Sequence, residues 1–441
     1  MTSWLSNARD SLRAQLWPIP TIAVIAALLL GLGLPELDSA SQLPAWARDL
    51  VFGGDADAAR SLLGAIASSL ITVTSLTFSL TVVTLQLASS QFSPRLLRTF
   101  TSDLFVQVTL ALFLATFTFA LTVLRAVRSA GDSGQTEFVP RIAISVAFVF
   151  TVASVIGLVL FLAHLVAQIR VETMLQHVHR ETSRTMRSVL SARDDAKPVP
   201  STLLHPRDDS HPVTATDDGF LTWIVHSELL SAVVDEDALL RLDVHPGAFV
   251  VKGTPLGVVW PASGGPFEQE RATRLSDRVA GCVRTGVERT AYQDVGYGLR
   301  QLVDVANKAL SPGVNDPTTA VHALDRISAV LCELSHYDLG PLVLWDEDGR
   351  ARAVLHRPGF HDHVDVGLSQ PRRYGAADPQ VMAKIFQVLI DLARQSSPSQ
   401  HPVVRTHLAR LRGTCLAQSY DSHERATLAE LGHQVEHILG D

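Results

Sequence analysis

Residues Leu62–Ser93 read LLGAIASSLITVTSLTFSLTVVTLQLASSQFS, a stretch with no charged side chain and an unusual density of Ser, Thr and Gln. Placed at 100° per residue, its polar side chains fall into two stripes. Ser68, Thr72, Ser75, Ser79, Gln86, Ser90 and Ser93 share one face, and Thr74, Thr77, Thr81, Thr84 and Gln91 lie nearly opposite. A helix that only anchors a chain in lipid has no use for such stripes. Hydroxyls suit close contact between transmembrane helices, and they also suit a helix that lines water. The pattern therefore predicts a membrane protein with an inner polar helix and leaves both uses open. At about 1.5 Å per residue the stretch would reach ~48 Å, more than a hydrocarbon core of roughly 30 Å.

Outward from this stretch, three further apolar runs appear. Residues 18–34 form a short first span behind Arg9 and Arg13, closed by Gly31, Gly33 and Pro35. A basic start, an apolar middle and the small residues Ser39–Ser41 would also fit a cleaved signal peptide, but the spans that follow favour a retained helix. Residues 104–125 and 142–169 complete four spans with 62–90, giving a transmembrane domain over 1–170. Lys and Arg counts favour both termini in the cytoplasm of a bacterial inner membrane: Arg9, Arg13, Arg95, Arg98 and four arginines between Arg170 and Arg187 would lie inside. Arg125, Arg128 and Arg141 on the third connection run against that count.

The whole chain has 441 residues, of which 47% are hydrophobic and 18% charged, with a mean hydropathy of +0.20. That balance is too apolar for a purely soluble protein and too polar for one wholly embedded in lipid, so soluble domains should follow the spans. The net charge of −7 gives no basis for a nucleic-acid partner. Cys282, Cys332 and Cys415 have no metal-ligand spacing, and their odd number argues against a disulfide framework.

Residues 171–218 read as an amphipathic helix and a linker, 219–265 as a β-rich block, and 266–441 as a mostly helical region. Strands are expected at 220–225, 238–244, 249–251 and 256–260, with turns at His245–Gly247 and Lys252–Pro255. The run VHPGAFVVKGTPLGVV, residues 244–259, is similar to the hairpin of barrel-sandwich domains, without a carrier-lysine motif; Lys252 sits in a turn. In the helical region, Asp316 followed by Pro317 predicts a cap and first residue for a helix over 317–334. The expected fold is thus a four-helix membrane domain followed by a cytoplasmic α+β region.

Three stretches carry a resemblance. Ser75–Phe100 (SLTFSLTVVTLQLASSQFSPRLLRTF), the fourth span running into a charged helix, and Asp294–Ile327 (DVGYGLRQLVDVANKALSPGVNDPTTAVHALDRI) together resemble the bacterial predicted-membrane-protein family DUF2254. The resemblance covers nearly the whole chain. It implies an integral membrane protein with a C-terminal soluble region, and it implies no activity, cofactor or catalytic residue.

Chemistry-bearing residues gather in three places. Thr72, Ser75, Ser79 and Gln86, with Arg95 and Arg98 beyond them, are candidate pore-lining positions. Asp304, Asn315, Asp316, Thr318 and His322 surround the ALSPGVNDPTT turn, which reads either as a stiff helix joint or as a ligand site at a helix N-terminus. His356, His361, Asp362, His363 and Asp365 form the densest group of ligand-type residues; on a strand His361 and His363 would point the same way. No second cluster completes a four-ligand spacing, and no nucleotide, hydrolase or metalloprotease motif is present. No enzyme activity, metal or cofactor is expected. The spans carry no ionisable residue of the kind coupled transporters keep at mid-membrane. The leading expectation is a homo-oligomeric pore with the second helix near its axis and the cytoplasmic region as assembly and gating unit, its partners being the bilayer, further copies of the chain and an ion or small solute. The alternative is a non-conducting, membrane-anchored sensor or scaffold that binds a ligand or partner.

Overall fold

The computed structural model describes residues 17–40, 51–91, 103–129, 137–168 and 170–440, the last range without 196–198, 201–202, 204, 207–209, 264 and 266. The chain forms two compact units, Met1–Thr173 and Met174–Asp441.

The first unit consists of α1 (Pro18–Ala40), α2 (Ala56–Gln91), α3 (Leu104–Ala126) and α4 (Arg141–Gln168). Each is long and apolar enough to cross a membrane. The burial is unequal: half of the span in α3 is buried, against 17–28% in the other three. The inner helix of this unit is therefore α3, which packs against α1, α2 and α4, and α2 lies to one side of it. Leu63, Ala67, Phe113, Phe119, Ala120, Ile144 and Ala147 form the core. Gly31 is required for the α1–α3 contact, because a Cβ there would stand 2.8 Å from Thr122 Cβ. Pro35 does not end α1, which continues to Ala40. Apolar surroundings stabilise a helix so strongly that one missing N–H at a proline is tolerated. At the far end of α3, Asp103 caps the helix by accepting from Phe105 N at 2.9 Å. Its other oxygen accepts from Gln168 Nε2 at 2.6 Å and lies 2.6 Å from His164 Nε2, tying α3 to the end of α4.

The second unit is α+β. A five-stranded sheet runs in the order β1 (His211–Thr214), β5 (Pro255–Pro261), β3 (Ala238–Leu242), β8 (Ala351–Leu355), β7 (Leu342–Trp345). Its pairs are antiparallel except the parallel β3–β8. A three-stranded sheet runs β4 (Phe249–Val250), β2 (Gly219–Ile224), β6 (Val283–Gly286). Both share one core with α6 (His226–Asp235) and α7 (Gln269–Gly281), built from Leu221, Leu229, Val233, Leu240, Val259, Leu275 and Leu355. The β structure thus begins within the stretch expected to be linker and, with β6, β7 and β8, continues into the stretch expected to be mostly helical, where β7 and β8 pair as a hairpin.

The helical part comprises α5 (Val171–Val189), α8 (Val295–Ala309), α9 (Pro317–Leu334), α10 (Phe360–Tyr374), α11 (Pro379–Gln395), α12 (His401–Leu416) and α13 (Ser422–Leu439). The apolar face of α5, Met174, Leu175, Val178 and Met186, is buried in this unit. At Gly298 of α8 a Cβ would come 1.8 Å from Thr182 Oγ1, so the two helices meet through a glycine.

The α8–α9 joint is tight. Asn315 adopts φ +50, Asp316 N donates to Ala309 O at 2.8 Å, and Pro317 opens α9. Asp316 is the cap: Oδ1 accepts from Thr319 N at 3.0 Å and Oδ2 from Thr319 Oγ1 at 2.6 Å. These bonds hold its carboxyl below the usual carboxylate range. Asp316→Ala is expected to destabilise the second unit by about 1 kcal/mol, the usual worth of an N-cap, without changing its size-exclusion volume. Because the folded pKa is depressed, the contribution is present at neutral pH and lost in acid as the carboxylate protonates. Urea midpoints of the two proteins at pH 7 measure the difference.

Candidate functional sites

The two stripes of α2 have different fates. Thr74, Thr77, Thr81 and Thr84 are buried inside the first unit, at 0–8% exposure. Thr74, Thr81 and Thr84 donate to carbonyls four residues back, at 2.6–2.9 Å, as hydroxyls do in apolar surroundings. Thr77 Oγ1 is buried without a partner among the described residues. By contrast Ser68, Thr72, Ser75, Ser79 and Gln86 are all exposed on the surface of the unit, among the exposed Ile71, Leu76, Phe78, Val82 and Val83. Packing among the described residues therefore accounts for the threonine stripe and leaves Ser68, Thr72, Ser75, Ser79 and Gln86 uncovered by them. Arg95 and Arg98 lie outside the described residues.

The second unit contains a partly open cavity of about 70 Å³ between its β and helical parts. Leu190, Ile224, Leu342, Leu355 and two prolines form apolar walls. Four imidazoles reach it from separate elements: His226 opens α6, His245 precedes the turn after β3, His356 follows β8 and His363 lies on α10. The rings of His245 and His356 are 5.8 Å apart. Asp294, the residue before α8, is 6% exposed and accepts from Arg289 Nε at 2.9 Å and from its terminal nitrogen at 2.6 Å. Gly247 is needed against this pair, since its φ is +90 and a Cβ would stand 2.1 Å from Asp294 Oδ2. Gln293 fixes the neighbouring wall, accepting from Ile224 N at 2.8 Å and donating to Ile224 O at 3.1 Å.

The electrostatics of the cavity follow from burial. Burial pushes the His363 pKa down to about 4, against a partial pull from Asp362, so the ring is neutral at pH 7. Burial and then the Arg357 charge lower His226. Burial raises the Asp294 carboxyl despite the opposing Arg289 guanidinium. A neutral imidazole such as His363 can donate and accept, so the cavity suits a weakly polar guest of a few heavy atoms or ordered water. No group of three His, Cys, Asp or Glu among the described residues is gathered closely enough for a metal ion. The thiols offer no nucleophile either, because burial holds Cys332 and Cys415 up at about 11.

The profile of a family described as predicted membrane protein (DUF2254) matches residues 13–391. The chain belongs to the DUF2254 family. An uncharacterized protein of Mycobacterium bovis and one of Mycobacterium tuberculosis are each 32% identical to it over 431 residues, covering 96% of this chain and 81% of theirs. No solved structure matches the chain. Four apolar helices accord with the description of DUF2254 proteins as membrane proteins, and neither the family nor these relatives carry a named activity.

Within this DUF2254 chain the residues singled out by sequence are redistributed. His361 and His363 sit on the first turn of α10, not on a strand, and two helical positions apart they diverge. His363 enters the cavity, while His361 is exposed beside His407, 6.2 Å between rings. Asp365 turns to Ser369 and to Arg410, at 2.7 and 2.8 Å. Of the turn residues, Asn315, Thr318 and His322 are exposed, and Asp304 is half-buried on α8. Asp294 lies at the other end of α8 from that turn, roughly 22 Å away at the helical rise. The joining of Asp294, His245, His356 and His363 is invisible locally; the one hint is Gly247, whose missing Cβ leaves room for the Asp294 carboxylate.

Proposed function

We propose that the protein is a homo-oligomeric pore of the bacterial inner membrane, with the serine face of α2 turned to a shared axis and the second unit as its cytoplasmic assembly and gating part. The observation that carries this reading is the exposure of Ser68, Thr72, Ser75, Ser79 and Gln86 on a span whose opposite, threonine face is buried. A non-conducting scaffold would be expected to bury both stripes within one subunit. One helix per subunit cannot enclose a path, so assembly is part of the proposal. The arginine count favours both termini in the cytoplasm, which labelling of Ser41→Cys in intact cells with an impermeant thiol reagent checks. The hairpin from β3 through β4 to β5 is read as barrel-sandwich-like.

Purified protein of measured oligomeric state, reconstituted in planar bilayers, is expected to conduct. Silence across a range of voltage, tension and pH would replace this reading by the sensor or scaffold. That second reading has its own support in the histidine-lined cavity, which has the dimensions of a site for a small guest.

A further inference from the structure

A different face of the second unit carries an excess of positive charge that its own contacts do not neutralise. An open cleft of about 520 Å³ is lined by Arg300 of α8, Arg372 and Arg373 of α10 and Arg410 of α12, with Asp365 as its one carboxylate. Asp365 is engaged, accepting from Ser369 and from Arg410 at 2.8 Å. Arg300 donates to the neutral Gln370 Oε1 at 3.2 Å, and Arg372 donates to the neutral Thr414 Oγ1. Arg372 Nε is buried with no hydrogen-bond partner among the described residues. Burial, together with the charges of Arg373 and Arg410, holds the Arg372 guanidinium below its ordinary pKa.

The bland account places Arg372 and Arg373 in the last turn of α10, where cations suit the helix dipole. It does not explain why α8 and α12 aim two more guanidiniums at the same cleft. Charges this close lie within one Debye length, roughly 8 Å at physiological salt, and are not screened from each other. Four cations against one carboxylate leave an excess of three, more than a single carboxylate ligand would balance. Guanidinium forks match phosphate oxygens in pairs.

We propose that this cleft binds a small ligand carrying two or more phosphate-type oxyanions. The site is separate from the histidine-lined cavity and does not depend on the pore reading. A free polyphosphate and an anionic lipid headgroup share this chemistry, and the test distinguishes them. Full-length protein in nanodiscs of neutral lipid is titrated with inorganic pyrophosphate, and in a second arm is co-sedimented with cardiolipin vesicles, whose headgroup carries two phosphates. Wild type is expected to bind one of the two saturably, with affinity that falls as salt rises. Arg300→Gln/Arg373→Gln, which leaves the Asp365–Arg410 pair intact, should weaken that binding at least tenfold while retaining the wild-type melting temperature. Pyrophosphate binding assigns a free polyphosphate, and vesicle binding alone assigns a headgroup. No saturable binding in either arm, or equal binding by wild type and variant, overturns the proposal. Arg373→Lys, which keeps the charge and loses the fork, should recover less than half of the lost binding energy if phosphate pairs are being read.

Discussion

Between pH 6.5 and pH 4 the second unit should lose stability steeply, on account of two buried histidines. His363 and His407 are 4% and 3% exposed, and both are pushed down to about 4. Burial is the main cause at each. At His407 the Arg410 charge adds to it, with smaller contributions from His361 and Arg372, and Asp365 opposes; at His363, Asp362 opposes and His245 adds. A base with a depressed folded pKa is neutral in both states above 6.5. As the pH falls below that, the unfolded chain takes up the proton first, so folding stability falls until the folded pKa is reached. At about 1.4 kcal/mol per unit, each histidine removes on the order of 3 kcal/mol by pH 4, a large fraction of a typical domain's stability. Asp294 has the opposite sign, since burial raises its folded pKa, while His179 and His226, also lowered by burial, act in the same direction as the two histidines. Urea midpoints followed through the fully buried Trp260 would show a slope of nearly two protons. His407→Gln should reduce that slope by about one proton, and an unchanged slope would contradict the assignment.

His407 also illustrates what could be read from the sequence and what could not. A helix announced by local chemistry was legible: Asp316-Pro317 marks the start of α9, and the structure begins it at Pro317. The four apolar helices were legible from composition, because the signal there is length without charge. Local pattern misled where a partner decides the outcome. His361 and His363 alternate like strand residues, yet Gly359 N donates to Asp362 Oδ2 at 2.8 Å and the first turn of α10 forms there. Pro35 looked like a terminator and is interior, because α1 is held by its contact with α3 through Gly31. Two polar stripes on α2 were visible, but which one faces inward depends on where α3 lies, and α3's own buried Gln107, Thr109 and Thr116 form no stripe as regular. The histidine-lined cavity draws on elements from α5 to α10, so no window of sequence contains it.

The exposed stripe makes the second large prediction, and the buried one supplies its control. In a pore, Ser75→Leu/Ser79→Leu replaces two small hydroxyls on the water-facing side with bulk and removes dipoles that stand in for an ion's hydration. Conductance of the reconstituted protein should fall at least tenfold while the oligomer elutes and cross-links as wild type does. If instead the serines are a contact where small residues let helices approach, the same change should break the assembly, and loss of conductance would accompany loss of the oligomer. Thr77→Val tests the opposite face. Thr77 Oγ1 is fully buried with no partner among the described residues, so an isosteric methyl removes an unsatisfied polar atom and should leave assembly and conductance intact, with equal or higher thermal stability. Arg95→Glu, near the expected mouth, should move selectivity from anions toward cations, because a ring of guanidiniums concentrates anions and a ring of carboxylates does the reverse. A leucine pair that changes neither conductance nor assembly would remove the serine face from the conduction path, whatever Thr77 and Arg95 do.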